Sequence, residues 1–167
     1  MERNKLLIVV VLGAFALLLW SQRGGAKAPV PPAFQGSSTL QEATAASARD
    51  GKPVLVFATA DWCGPCQSLK RGALAEASTT QAIQAETIPV YLDVDASGRE
   101  ASSLNVSTIP TLILLSEGRE ISRIGGAVSG STLREWLETS VAATGKTSAP
   151  AVPAATEAGQ GSGAGGA

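Results

Sequence analysis

The sequence predicts a mixed α/β domain whose central sheet is covered by helices on both faces, and three observations lead there. Residues 54–58 and 89–94 are short apolar runs separated by helical pattern, as in strands buried on both faces. Residues 111–116 and 119–124 flank Glu117-Gly118, which is a hairpin signal. Leu133, Trp136, Leu137 and Val141 then recur at helical spacing and give residues 129–142 one apolar face.

In chain order, residues 1–5 lean basic and residues 6–20 carry no charge. As a helix that apolar run reaches about 22 Å, short of the roughly 30 Å hydrocarbon core. It suits a signal-peptide core or a short signal anchor, so residues 1–20 are expected to form an N-terminal hydrophobic, single-pass transmembrane helix. Ala26-Lys27-Ala28 has the small-x-small cleavage pattern, but Pro29 directly after it opposes cleavage. The expectation is therefore retention in the cytoplasmic membrane with the rest of the chain extracytoplasmic; cleavage would leave a secreted or periplasmic domain. Residues 21–36 hold Gly24, Gly25, Pro29, Pro31 and Pro32 without periodicity and read as a linker. Residues 37–144 carry the domain. Residues 145–167 are an Ala/Gly/Pro-rich tail charged only at Lys146 and Glu157, with too little apolar surface to order.

Inside the domain, Thr39-Leu40-Gln41-Glu42 has capping-box spacing and opens an Ala-rich helix that Asp50-Gly51 stops. Residues 60–77 read as a loop entering a helix, and 79–85 as a further helical piece. Pro89 begins the second strand, since proline is tolerated at a strand's first residue. Residues 95–100 form a turn and 101–104 one helical turn, before the hairpin and the last helix.

Composition narrows the chemistry. The 167 residues hold no histidine, which removes catalytic triads, imidazole shuttles and His-ligated metals. Thirteen Lys and Arg against fourteen Asp and Glu leave no basic excess for nucleic acid. Only two cysteines are present, too few for a single-chain four-cysteine zinc site.

Those two cysteines stand in Trp62-Cys63-Gly64-Pro65-Cys66, between a buried strand and a helix. A thiolate at a helix N-terminus is favoured by unpaired N–H groups and the helix dipole. A redox-active dithiol is the reading this placement favours; a structural disulfide, half of an intermolecular zinc site and a pair of inert thiols are the alternatives.

Together with Ser107-Thr108-Ile109-Pro110-Thr111 and Ile124-Gly125-Gly126-Ala127 before the last helix, the motif resembles the thioredoxin family from about Phe34 to Thr144. Lys52-Pro53-Val54 leading to Ala60-Asp61-Trp62-Cys63 is also similar to the thioredoxin-like domains of membrane-bound thiol:disulfide interchange proteins. The resemblance implies a thioredoxin fold, with Cys63 as nucleophile, Cys66 as resolving thiol and a redox-active Cys63–Cys66 disulfide. Pro110 matches the family's cis-proline, with Ile109 offering backbone to an extended substrate, while Trp62 and Gly126 shape the apolar rim. It implies a thiol–disulfide oxidoreductase of protein disulfides and dithiols, monomeric, without cofactor or metal, and served by a membrane electron donor if extracytoplasmic. A client-binding module with little redox turnover is the alternative from another class.

The sequence departs from the family's pattern beneath the site. Phe57 stands where the family has a buried aspartate and Tyr91 where it has the paired lysine, so an apolar underside is expected, disfavouring charge on Cys66. Asp61, close to Cys63, is expected to be solvated. The family's helix-kinking proline is replaced by Arg71, beside Gly72.

Overall fold

A computed structural model describes residues 11–15 and 27–145. Residues 11–15 are helical and exposed; the rest of the N-terminal apolar run and the tail from 146 lie outside the described residues. Among the described residues, no helix is long and apolar enough to cross a membrane.

The elements alternate as helix α1 (Leu40–Asp50), strand β1 (Val54–Thr59), helices α2 (Gly64–Arg71) and α3 (Ala77–Glu86), then strand β2 (Ile88–Asp93). A short helix α4 (Gly98–Ser103) precedes the hairpin of β3 (Thr111–Ser116) and β4 (Arg119–Gly125), and α5 (Gly130–Thr144) closes the domain. The sheet order is β2-β1-β3-β4, with β1 parallel to β2 and antiparallel to β3. This is the mixed α/β sheet that the apolar runs predict.

Local chemistry sets the element ends. The Thr39 hydroxyl accepts the Glu42 N–H, and the Glu42 carboxylate accepts the Thr39 N–H, so the capping box is formed. Gly51, at φ +70°, closes α1 in the left-handed region that glycine enters freely. Where the family's pattern has its kinking proline, α2 instead ends at Arg71, and a 3-10 turn, Ala73–Ala75, follows Gly72. A Cβ on Gly72 would sit 3.1 Å from the Ser68 carbonyl oxygen, tighter than an ordinary contact.

Every residue of β1 is buried, because helices cover both its faces. Leu55 and Phe57 point toward Leu69 of α2, Ile83 of α3 and Leu133 of α5. Val54, Val56 and Ala58 point the other way, against Ala43 of α1 and Ala101 of α4. The expectation of double-sided burial is corrected for β2. It lies at the sheet edge and is only half-buried, which also lets Pro89 pair with Leu55 without breaking an inner ladder.

The packed body also reaches back into the segment whose composition reads as linker. Pro32–Phe34 forms a 3-10 turn, and Phe34 is 1% exposed in the core, its ring 5.5 Å from that of Phe57. Proline and glycine content signalled a connector, yet a single aromatic side chain is enough to dock it. Phe34→Ala should therefore cost about 3–5 kcal/mol of unfolding free energy by chemical denaturation. A loss below about 1 kcal/mol, as for a surface substitution, would show that this segment is not part of the folded body.

Candidate functional site

Burial of β1 on both faces fixes where its C-terminal end emerges, and the loop from Ala60 to Cys63 leads straight into α2. Cys63 is the N-cap of α2, and its Sγ accepts the Cys66 N–H at 3.2 Å. Pro65 sits in the first turn, where its missing N–H leaves no intrahelical bond unmade. The two sulfurs are bonded at 2.11 Å, across a Cα separation of 5.2 Å. Cys66 is fully buried and Cys63 is 4% exposed, so the disulfide presents one sulfur edge to the surface. Among the described residues, no cluster of three Cys, Asp or Glu could hold a metal ion.

The other candidate residues converge on the same end of the sheet. The Ile109–Pro110 peptide bond is cis, Ile109 packs against both cysteines, and its carbonyl oxygen lies 3.8 Å from Cys63 Sγ. The Gly126 N–H donates to the Pro110 carbonyl at 2.8 Å, which joins the end of β4 to the loop before β3. Gly126 has φ +85°, a conformation that favours glycine. Trp62 is 71% exposed, yet its indole N–H donates to Asp95 Oδ2 at 2.8 Å, so the ring is held over the rim. All six residues, Trp62, Cys63, Cys66, Ile109, Pro110 and Gly126, thus gather at one end of the sheet.

The surroundings hold what the sequence reading missed. Asp61 is exposed, as expected, but it is paired with Lys27 at 2.8 Å. The Lys27 ammonium holds the Asp61 carboxyl below the usual carboxylate range, and the carboxylate raises the Lys27 amine in return. Gln67, on the first turn of α2, completes the attachment. Its Oε1 accepts the Ala28 N–H at 2.6 Å, and its amide donates to the Asp61 carbonyl at 3.1 Å. The chain entering the domain is therefore fastened to the active-site loop itself. No periodicity marks such a contact, because it joins residues more than thirty positions apart.

The expectation of an apolar underside is corrected too. Phe57 is fully buried and its ring meets Tyr91 edge-on at 5.8 Å, as the replacements suggested. But Lys70 enters the same layer from α2, with its side chain only 1% exposed. Its Nζ donates to the Tyr91 hydroxyl, lies 5.1 Å from that ring's centre, and is 4.0 Å from Asp61 Oδ1. The signal was available: Cys66, Leu69 and Lys70 share the buried face of α2 at helical spacing.

Chemically, the site offers a sulfur at a helix N-terminus, the Ile109–Pro110 loop beside it and an exposed Trp62 ring, which suits exchange with a sulfur of another chain. Comparison with known proteins agrees. A family profile described as a thioredoxin-like domain matches residues 40–140. The thioredoxin of Mycobacterium tuberculosis is 38% identical over 105 residues, covering 60% of this chain and 88% of that protein. Thioredoxin C-3 of Corynebacterium nephridii is 33% identical over 86 residues, covering 52% of this chain; the match spans only 57% of that relative's length. Among solved structures, the Trxlp protein of Edwardsiella tarda superposes with a TM-score of 0.52 at 32% identity, covering 60% of this chain and 95% of that one. The chain belongs to the thioredoxin-like family.

Proposed function

We propose that this thioredoxin-like protein is a thiol–disulfide oxidoreductase that reduces or exchanges protein disulfides through Cys63 and Cys66, tethered to the cytoplasmic membrane. The observation that carries the reading is the bonded cysteine pair at the N-terminus of α2, beside Ile109 and Pro110.

In the reduced protein, Cys63 takes the role of nucleophile, because its Sγ stands where the Cys66 N–H and the helix dipole stabilise a thiolate. The thiolate attacks one sulfur of a substrate disulfide. A Cys63–substrate disulfide forms, and the other substrate sulfur leaves as thiolate and takes a proton from water. Cys66 then gives up its proton and attacks the Cys63 sulfur, releasing the second substrate thiol and closing Cys63–Cys66. Two electrons pass to the substrate. Ile109 offers backbone to an extended substrate segment, and Trp62 and Gly126 bound the rim on which it lies.

The tether rests on the apolar run of residues 6–20. The docking of Lys27 and Ala28 onto the active-site loop supports retention of the segment, since cleavage after Ala28 would remove both contacts. An extracytoplasmic domain draws its electrons from a membrane dithiol donor.

Cysteine-dependent turnover is the test of the chemistry. Insulin reduction should proceed with the wild type, vanish in Cys63→Ser, and stall as a trapped mixed disulfide in Cys66→Ser. Client binding without cysteine-dependent turnover would favour a binding module instead. For the tether, cell fractionation should place the protein with membranes, with its N-terminus intact. A soluble product beginning at Pro29 would overturn that part of the reading.

A further inference from the structure

We infer that Lys70 is a positioning residue for the resolving step: its buried ammonium stabilises the Cys66 thiolate as that thiolate attacks the mixed disulfide. The inference rests on the thiol–disulfide reading above and adds to it a group that composition and motif did not supply.

Lysine is almost never fully buried without a reason, because taking an ammonium out of water is expensive. Lys70 has a side chain 1% exposed, on a helix face whose other buried residues are Cys66 and Leu69. An unbranched apolar residue would fill that position without the desolvation penalty, and such replacements of buried charges are often neutral or stabilising. The ammonium is nevertheless held by two partners, the Tyr91 hydroxyl and Asp61 Oδ1 at 4.0 Å.

Position relative to the cysteines follows from helix geometry. Cys66 and Lys70 are four residues apart on α2, so their Cβ atoms lie about 5–6 Å from each other on one face. Both face inward. The Lys70 side chain thus starts beside Cys66, and a cation enclosed in the same buried layer favours a thiolate over a thiol.

Among the charged groups around it, Lys70 alone is buried. From the entering segment comes Lys27, which takes the closer share of Asp61 at 2.8 Å. From β2 come Tyr91 and Asp93; Asp93 acts on Lys27. Asp95, past the end of β2, is engaged by Trp62 at 2.8 Å. On α2 itself Arg71 is exposed. Lys27 and Lys70 share the exposed Asp61 carboxylate, and Phe57 contributes no acceptor to the buried layer. A buried cation can help the resolving thiol even without a buried base. The Cys66 proton leaves to water, the thiolate that remains is stabilised, and the attack on the Cys63 sulfur proceeds with the substrate thiolate departing.

The test uses the reduced full-length protein and an aromatic disulfide that releases chromogenic thionitrobenzoate. Attack by Cys63 releases one thionitrobenzoate, and attack by Cys66 on the resulting mixed disulfide releases the second, so the two steps are read separately. In Lys70→Met the second release should slow by about tenfold near neutral pH, with its rate–pH midpoint about one unit higher, the change that one pKa unit represents. Lys70→Arg should restore the midpoint toward wild type. Tyr91→Phe, which removes only the hydroxyl anchor, should move it in the same direction by less. If Lys70→Met folds and its second-step midpoint matches wild type, or only its melting temperature changes, Lys70 is structural and the inference is overturned. If the wild type itself gives no second release, the oxidoreductase reading fails and not this one alone.

Discussion

One hydrogen bond organises the functional end of this molecule: the Cys66 N–H donated to Cys63 Sγ at the first turn of α2. It makes a sulfur do the work that a serine or aspartate oxygen does at an ordinary helix start. That sulfur is then both the cap of the helix and the atom offered to a substrate. The bond holds only if α2 begins where it does, and α2 begins there because β1, buried on both faces, delivers the chain to that point. The sheet core, the helix cap and the reactive sulfur are thus one dependency, and Ile109, Pro110 and Gly126 are carried to it by the neighbouring strand ends.

Where local chemistry dictates structure, the sequence was legible. Thr39 and Glu42 announce their capping box, the unbroken run of 54–58 announces a strand with two covered faces, and Glu117-Gly118 announces the hairpin. The cysteine pair was legible for the same reason, since two thiols at that spacing between a buried strand and a helix favour a redox-active dithiol over the alternatives. Pro110 and Gly126 were harder. Their proximity to the cysteines depends on the antiparallel pairing of β3 with β1 and β4, which no local pattern encodes; the resemblance to a family supplied it.

What stayed hidden is of one kind, polar contacts between distant segments. Lys27 with Asp61, and Ala28 with Gln67, bind a Pro- and Gly-rich stretch whose composition speaks of a free connector. Phe34 was one aromatic among small residues and prolines, too isolated to show periodicity, yet it fills the core beside Phe57. Lys70 differs, because its helical spacing from Cys66 and Leu69 was readable; only the habit of assigning lysine to solvent concealed it. The loss of a buried carboxylate at Phe57 and of a strand lysine at Tyr91 is therefore not a simple loss of polarity. The hydroxyl of Tyr91 receives an ammonium that arrives from the helix instead.

If capping of α2 is what makes Cys63 reactive, its thiol must titrate early once the disulfide is opened. The most direct measurement is the thiolate ultraviolet absorbance of the reduced Cys66→Ser protein as a function of pH, with Cys63 the one remaining thiol. The backbone N–H at position 66 survives that substitution, so the cap is intact. A midpoint well below the free-cysteine value of about 8.5 is expected. A midpoint at or above that value would contradict the link between the helix cap and the chemistry.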